Sequence, residues 1–74
     1  MEIKIKLFAY FRDNRGKILT KAYPSGATPA DVVLDLGIEQ EIVAILLVNG
    51  VHAKWDQGLA TGDTVSLFPP VAGG

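Results

Sequence analysis

The sequence predicts an α+β fold, a mixed sheet of four to five strands packed on one short helix. Three observations carry this expectation: period-two alternation at the start of the chain, a capped stretch of helical spacing in its middle, and an Asn-Gly pair between two apolar stretches near residue 50. Seventy-four residues make one domain. A chain this short buries only about 60% of the surface its unfolded state exposes, so it builds one small core.

The first strand starts at Glu2. Ile3, Ile5, Leu7, Ala9 and Phe11 fall on one face, with Glu2, Lys4 and Lys6 on the other, the pattern of a half-buried strand continuing through Phe11. The polar cluster Arg12 to Gly16 breaks the run, and Ile18, Thr20 and the residues around Tyr23 resume it, giving a hairpin. Thr28 is then placed to cap a helix, with Pro29 at its first position and Asp31 where a negative charge favours the helix N-terminus. Val32, Val33 and Leu36 recur at helical spacing and Gly37 is a left-handed stop, so the helix spans about two to three turns and needs a sheet beneath it.

Ile42 to Val48 reads as a buried strand, and Asn49-Gly50 as the turn of a second hairpin leading into Val51 to Trp55. Asp56 to Asp63 reads as loop, and Thr64 to Phe68 as the last strand. The order ββαβ(β)β, without repeats or linkers, fits the ubiquitin-like β-grasp topology. Residues 1–68 would form the β-grasp domain and residues 69–74 an extended C-terminal tail ending in Gly-Gly.

Composition excludes several functions. Seven Lys and Arg against eight Asp and Glu are scattered without a basic stripe, which argues against nucleic-acid binding. With no cysteine there is no disulfide framework, thiolate nucleophile or cysteine metal site, and no bound cofactor or metal is expected. The opening MEIKIKL alternates charge and apolar residues, unlike a signal peptide, and the apolar run at 42–48 is far below the roughly 20 residues that span a bilayer. A cytoplasmic protein with no membrane or nucleic-acid partner is expected.

Side-chain chemistry is equally sparse. His52 is the sole imidazole and sits just past a turn, where an exposed or hydrogen-bonded role is the ordinary one. Asp56 and Asp63 flank a loop, where acidic residues bond local amides. The loop glycines match neither a Walker loop nor a dinucleotide fingerprint. What is left is the carboxylate at Gly74. Pro69 and Pro70 would hold the chain extended as it leaves the last strand, and the stretch Pro69, Pro70, Val71, Ala72, Gly73, Gly74 can reach roughly 20 Å. Gly73 and Gly74 lack β-carbons and could thread a narrow cleft.

Strand alternation adds a docking surface. With Ile3, Ile5, Leu7, Val65 and Leu67 facing the helix, Phe8, Tyr10 and Phe68 face away. The first and last strands are parallel neighbours in a β-grasp sheet, so Phe8 and Phe68 should lie together near the root of the tail as a partner-binding patch, with Tyr10 at its margin.

Three segments, "LFAYFRD" at 7–13, "LVNG" at 47–50 and "LATGDTVSLFPPVAGG" at 59–74, resemble in the right order those of the MoaD/ThiS family of sulfur carriers, and most closely its branch of molybdopterin synthase small subunits. The resemblance implies that Gly74 is adenylated by a ubiquitin-activator-like adenylyltransferase that uses ATP, and is then converted to a thiocarboxylate. The sulfur would pass to a molybdopterin synthase large subunit, for a molybdenum or tungsten cofactor, or to another sulfur-accepting enzyme, for thiamine or another sulfur-containing metabolite. The chain would be no enzyme on its own but the small, sulfur-donating subunit of a sulfurtransferase. The short helix at 28–37 is more like the thiamine branch, whereas Phe68-Pro69-Pro70 favours the molybdopterin branch. A ubiquitin-like modifier conjugated through Gly74 also fits the Gly-Gly ending.

Overall fold

The structure, a computed structural model, describes residues 1–70. Eight elements follow one another: strand β1 (Glu2–Leu7), a 3-10 helix (Ala9–Arg12), β2 (Ile18–Ala22), helix α1 (Pro29–Leu36), a second 3-10 helix (Gln40–Ile42), β3 (Ile45–Val48), β4 (Val51–His52) and β5 (Thr64–Phe68). The five strands form one sheet in the order β2-β1-β5-β3-β4. β1 and β5 run parallel at its centre and the other pairs are antiparallel. This is the expected mixed sheet on one helix, with five strands.

Alternation decides the faces. Ile3, Ile5 and Leu7 of β1, Val65 and Leu67 of β5, and Leu46 and Val48 of β3 all point into one core with Val32 and Val33 of α1. α1 begins and ends where its caps dictate. The Thr28 backbone N–H donates to Asp31 Oδ2 at 2.9 Å and Thr28 Oγ1 accepts from the Asp31 N–H at 3.4 Å, a reciprocal capping box. Gly37 lies at φ +73°, a left-handed conformation that glycine adopts without steric cost, and the Ile38 N–H closes the end on the Val33 carbonyl at 2.9 Å.

Three strand boundaries differ from the sequence reading, the simplest being β4, read as Val51 to Trp55 but ending at His52. β1 stops at Leu7 because Ala9 turns to φ +51° and starts a 3-10 helix. Ala9 and Phe11 therefore leave the ladder, yet Phe11 is still buried, folded under by the helical turn rather than by alternation. The connection to β2 is correspondingly long, and its arginines serve the backbone. Arg12 Nε donates to the Leu7 carbonyl at 2.8 Å, while Arg15 donates to the Leu36 carbonyl at the end of α1 and to that of Phe11. A cation is favoured at a helix C-terminus.

The third difference is at Ile42, read as the start of a strand. β3 begins only at Ile45, and Ile42 belongs to the second 3-10 helix, partly exposed. The turn after β3 is as expected: Asn49 at φ +53° and Gly50 at φ +80° join β3 to β4, the two left-handed positions of a type I′ hairpin. Asn49 also ties this turn to β5. Its Nδ2 donates to Asp63 Oδ1 and its Oδ1 accepts from the Thr64 N–H, each at 2.9 Å. No helix among the described residues is long and apolar enough to cross a membrane.

Candidate functional site

Parallel pairing of β1 and β5 makes both strands finish at the same end of the sheet. Leu7 and Leu67 are partners in the ladder and fully buried, so the next residue of each chain segment turns to the opposite, open face. Those residues are Phe8 and Phe68. Their rings stack with centroids 4.0 Å apart and planes 11° from parallel. Phe8 keeps extended backbone, φ −124° and ψ 153°, one residue beyond β1, and each ring is half buried.

The patch is wider than this pair. Ile45 of β3 is the ladder partner of Phe68 and 40% exposed. Ile18 of β2 is the partner of Lys6 and 57% exposed. The Arg12 guanidinium carbon lies over the Phe8 ring, 5.4 Å from its centroid, where the negative ring face attracts it. Lys4 and Lys6 are exposed on the same side of β1. An apolar strip of Phe8, Phe68 and Ile45 is thus bordered by cations, and its composition suits a partner with an apolar surface edged by acidic groups.

Tyr10 is placed differently from its sequence-based position. It sits in the first 3-10 helix rather than in a strand, 47% exposed, with its ring edge-on to Phe11 at 5.3 Å and 67°. Alternation stopped applying at Ala9. Ile45 and Arg12 were missed. Ile45 was legible, since inward Leu46 and Val48 require outward Ile45 and Leu47. Arg12 was not, because its place over Phe8 depends on the 3-10 turn.

The tail starts beside this patch. The Ala44 N–H donates to the Phe68 carbonyl at 2.8 Å, fixing the last residue of β5. Pro69 is buried and Pro70 exposed. The remaining tail residues, Val71, Ala72, Gly73 and the carboxylate-bearing Gly74, lie outside the described residues.

The other ionisable candidates are structural or exposed. His52 is exposed on the short edge strand β4. Asp63 Oδ2 accepts from the Ala60 N–H at 2.8 Å, and that bond, followed by the one from Asn49, holds its carboxyl below the ordinary range. Asp35 is also held low, first by Lys21 at 2.7 Å and then by the Tyr23 hydroxyl, which donates to it at 2.8 Å. Among the described residues no group of three His, Cys, Asp or Glu side chains gathers to hold a metal.

Comparison with known proteins is consistent with this geometry. The profile of the ThiS family matches residues 5–74. Small archaeal modifier protein 3 of Haloferax volcanii is 35% identical over an alignment of 92 positions that takes in all of both chains. A Pyrococcus furiosus protein provisionally assigned as molybdopterin converting factor subunit 1 superposes with a TM-score of 0.79 at 28% identity, over 96% of this chain and 99% of that one. The Haloferax volcanii modifier SAMP1 superposes with a TM-score of 0.80 at 27% identity, over the whole of both chains.

Proposed function

The chain belongs to the ThiS family of sulfur carriers and ubiquitin-like small modifiers, and from that membership we propose that Gly74 carries sulfur as a C-terminal thiocarboxylate. A carboxylate is a poor acyl donor, because its charge repels nucleophiles and oxide is a hopeless leaving group. In the proposed cycle it attacks the α-phosphate of ATP on a ubiquitin-activator-like adenylyltransferase, expelling pyrophosphate and leaving an acyl adenylate. A sulfur nucleophile at the oxidation level of sulfide then adds to the carbonyl carbon. The C–O bond to AMP breaks, a proton is lost, and the thiocarboxylate remains without need of a reductant. We place the work in the cytoplasm, where ATP for the adenylation is at hand.

The reading is carried by the family match, which extends to residue 74 and so takes in the Gly73-Gly74 pair. The absence of cysteine and the presence of a single histidine agree with it, since the carrier supplies an acyl group and its partners supply the catalysis. Phe8, Phe68 and Ile45 would seat those partners at the root of the tail. Molybdopterin synthesis, with a synthase large subunit as acceptor, is the destination we assign, supported by the resemblance of the Phe68-Pro69-Pro70 tail to that branch.

Intact-mass measurement tests the chemistry. Full-length chain incubated with adenylyltransferase, ATP and sulfide should exchange one oxygen for sulfur, and a chain lacking Gly74 should not. Thiolation of the shortened chain would overturn the proposal, as would an intact mass with further residues beyond Gly74. The likeness to a small archaeal modifier favours a second reading, conjugation to proteins. It predicts an isopeptide bond between Gly74 and a target lysine in place of free thiocarboxylate.

A further inference from the structure

The charges of this chain are unevenly distributed along the sequence. No Lys or Arg occurs from residue 22 to residue 53, whereas Asp31, Asp35, Glu39 and Glu41 all fall there. Within that stretch α1 packs on the side of the sheet opposite the Phe8–Phe68 strip, and the second 3-10 helix follows it in sequence. Asp35 is neutralised by Lys21. Glu39 and Glu41 are exposed, and among the described residues neither pairs with a cation.

Between α1 and the segment that follows it lies a groove of about 460 Å³. Val33 and Ile38, both buried, form its floor; Ala30 and Leu34 rise along the helix side, and Glu39 and Glu41 stand on the far rim. Leu34 is 79% exposed, the least covered large apolar side chain of the described residues. A single exposed leucine is ordinary. Here it borders an apolar floor that opens to solvent and ends at two carboxylates without counter-ions.

We propose that this groove is a second docking surface, and that its occupant is an amphipathic helical segment of a partner protein with an apolar anchor flanked by Lys or Arg. The anchor covers Val33, Ile38 and Leu34, and its basic neighbours meet Glu39 and Glu41. A small polar ligand does not suit so open and apolar a trough, and an acidic segment would meet repulsion from Glu39 and Glu41. Because α1 and the aromatic strip occupy opposite faces of the sheet, the groove can be filled while the tail face is engaged. The inference is independent of the chemistry at Gly74.

The test is amide chemical-shift mapping of the folded full chain with two synthetic peptides. One places Leu and Lys at amphipathic helical spacing; the other replaces each Lys by Glu. The Lys peptide should shift amides of residues 30–41, and Leu34→Ser should weaken its binding about tenfold with melting temperature unchanged. The double variant Glu39→Lys/Glu41→Lys should lose the Lys peptide by a similar factor and acquire the Glu peptide. Equal affinity for the two peptides, shifts centred on Phe8 and Phe68 or spread over the whole surface, or no shifts at millimolar Lys peptide would each overturn the proposal.

Discussion

Phe8 and Phe68 stack face to face, centroids 4.0 Å apart, although they come from opposite ends of the chain. The contact follows from one register. Leu7 and Leu67 are partners in the parallel β1–β5 ladder, so each following residue emerges on the open face at the same height. A stacked aromatic pair contributes about 0.5–1.5 kcal/mol beyond its buried area. At this position it also sets two rings beside the point where the tail leaves the sheet.

Phe68→Ala should therefore weaken binding to the proposed adenylyltransferase partner by about 2 kcal/mol, the loss of a central anchor. Calorimetric titration of the folded variant reads this directly. Wild-type affinity would remove Phe68 from the interface.

Neighbouring aromatics in the first 3-10 helix should separate sharply in a stability measurement. Phe11 is 1% exposed and Tyr10 47%. Phe11→Ala should cost about 3–5 kcal/mol through cavity formation, and Tyr10→Ala a small fraction of that. Urea midpoints decide, and equal losses would mean that the turn does not seat Phe11 in the core.

This contrast marks where the sequence was legible. Inward Ile3, Ile5, Leu7, Val65 and Leu67 were readable because alternation holds as long as the ladder does, and Thr28, Asp31 and Gly37 because caps are local chemistry. The parallel β1–β5 pairing came from topology, and with it the nearness of Phe8 to Phe68. Ala9 gave no warning of its left-handed turn, since alanine has no preference for φ +51°. The apolar run from Ile42 to Val48 was ambiguous because periodicity cannot separate a strand from the 3-10 turn preceding it. The groove beside Glu39 and Glu41 was hidden for another reason: counting net charge over the whole chain conceals a stretch, residues 22–53, that holds four acids and no Lys or Arg.

Acid should destabilise the protein through Asp35 and Asp63. Both carboxyls are held below their ordinary range in the folded state. Their contribution is therefore fully present above the unfolded value of about 4 and is lost as pH falls through the lower folded values. Asp63→Asn should flatten the fall of the urea midpoint below about pH 4, and an unchanged slope would remove Asp63 from the account. Tyr23 supplies the alkaline limb. Burial first, and then its bond to Asp35, push the phenol up, so its contribution persists below about pH 10 and is lost as pH rises through the higher folded value.

Gly73→Val separates function from folding most cleanly. Among the described residues the core is assembled between Ile3 and Leu67, and bulk at residue 73 should leave the melting temperature nearly unchanged. On the proposed chemistry the same change is severe, because the carboxylate of Gly74 must reach the α-phosphate of ATP inside a partner cleft, and a β-branched neighbour restricts the backbone and widens the strand that threads it. Pyrophosphate release in the presence of adenylyltransferase and ATP should fall at least about a hundredfold, the scale expected when reacting groups are displaced by about 1 Å. Mass spectrometry should show no thiocarboxylate. Wild-type turnover by a folded Gly73→Val chain would mean that the cleft is wide, and the role assigned to the paired glycines would fall.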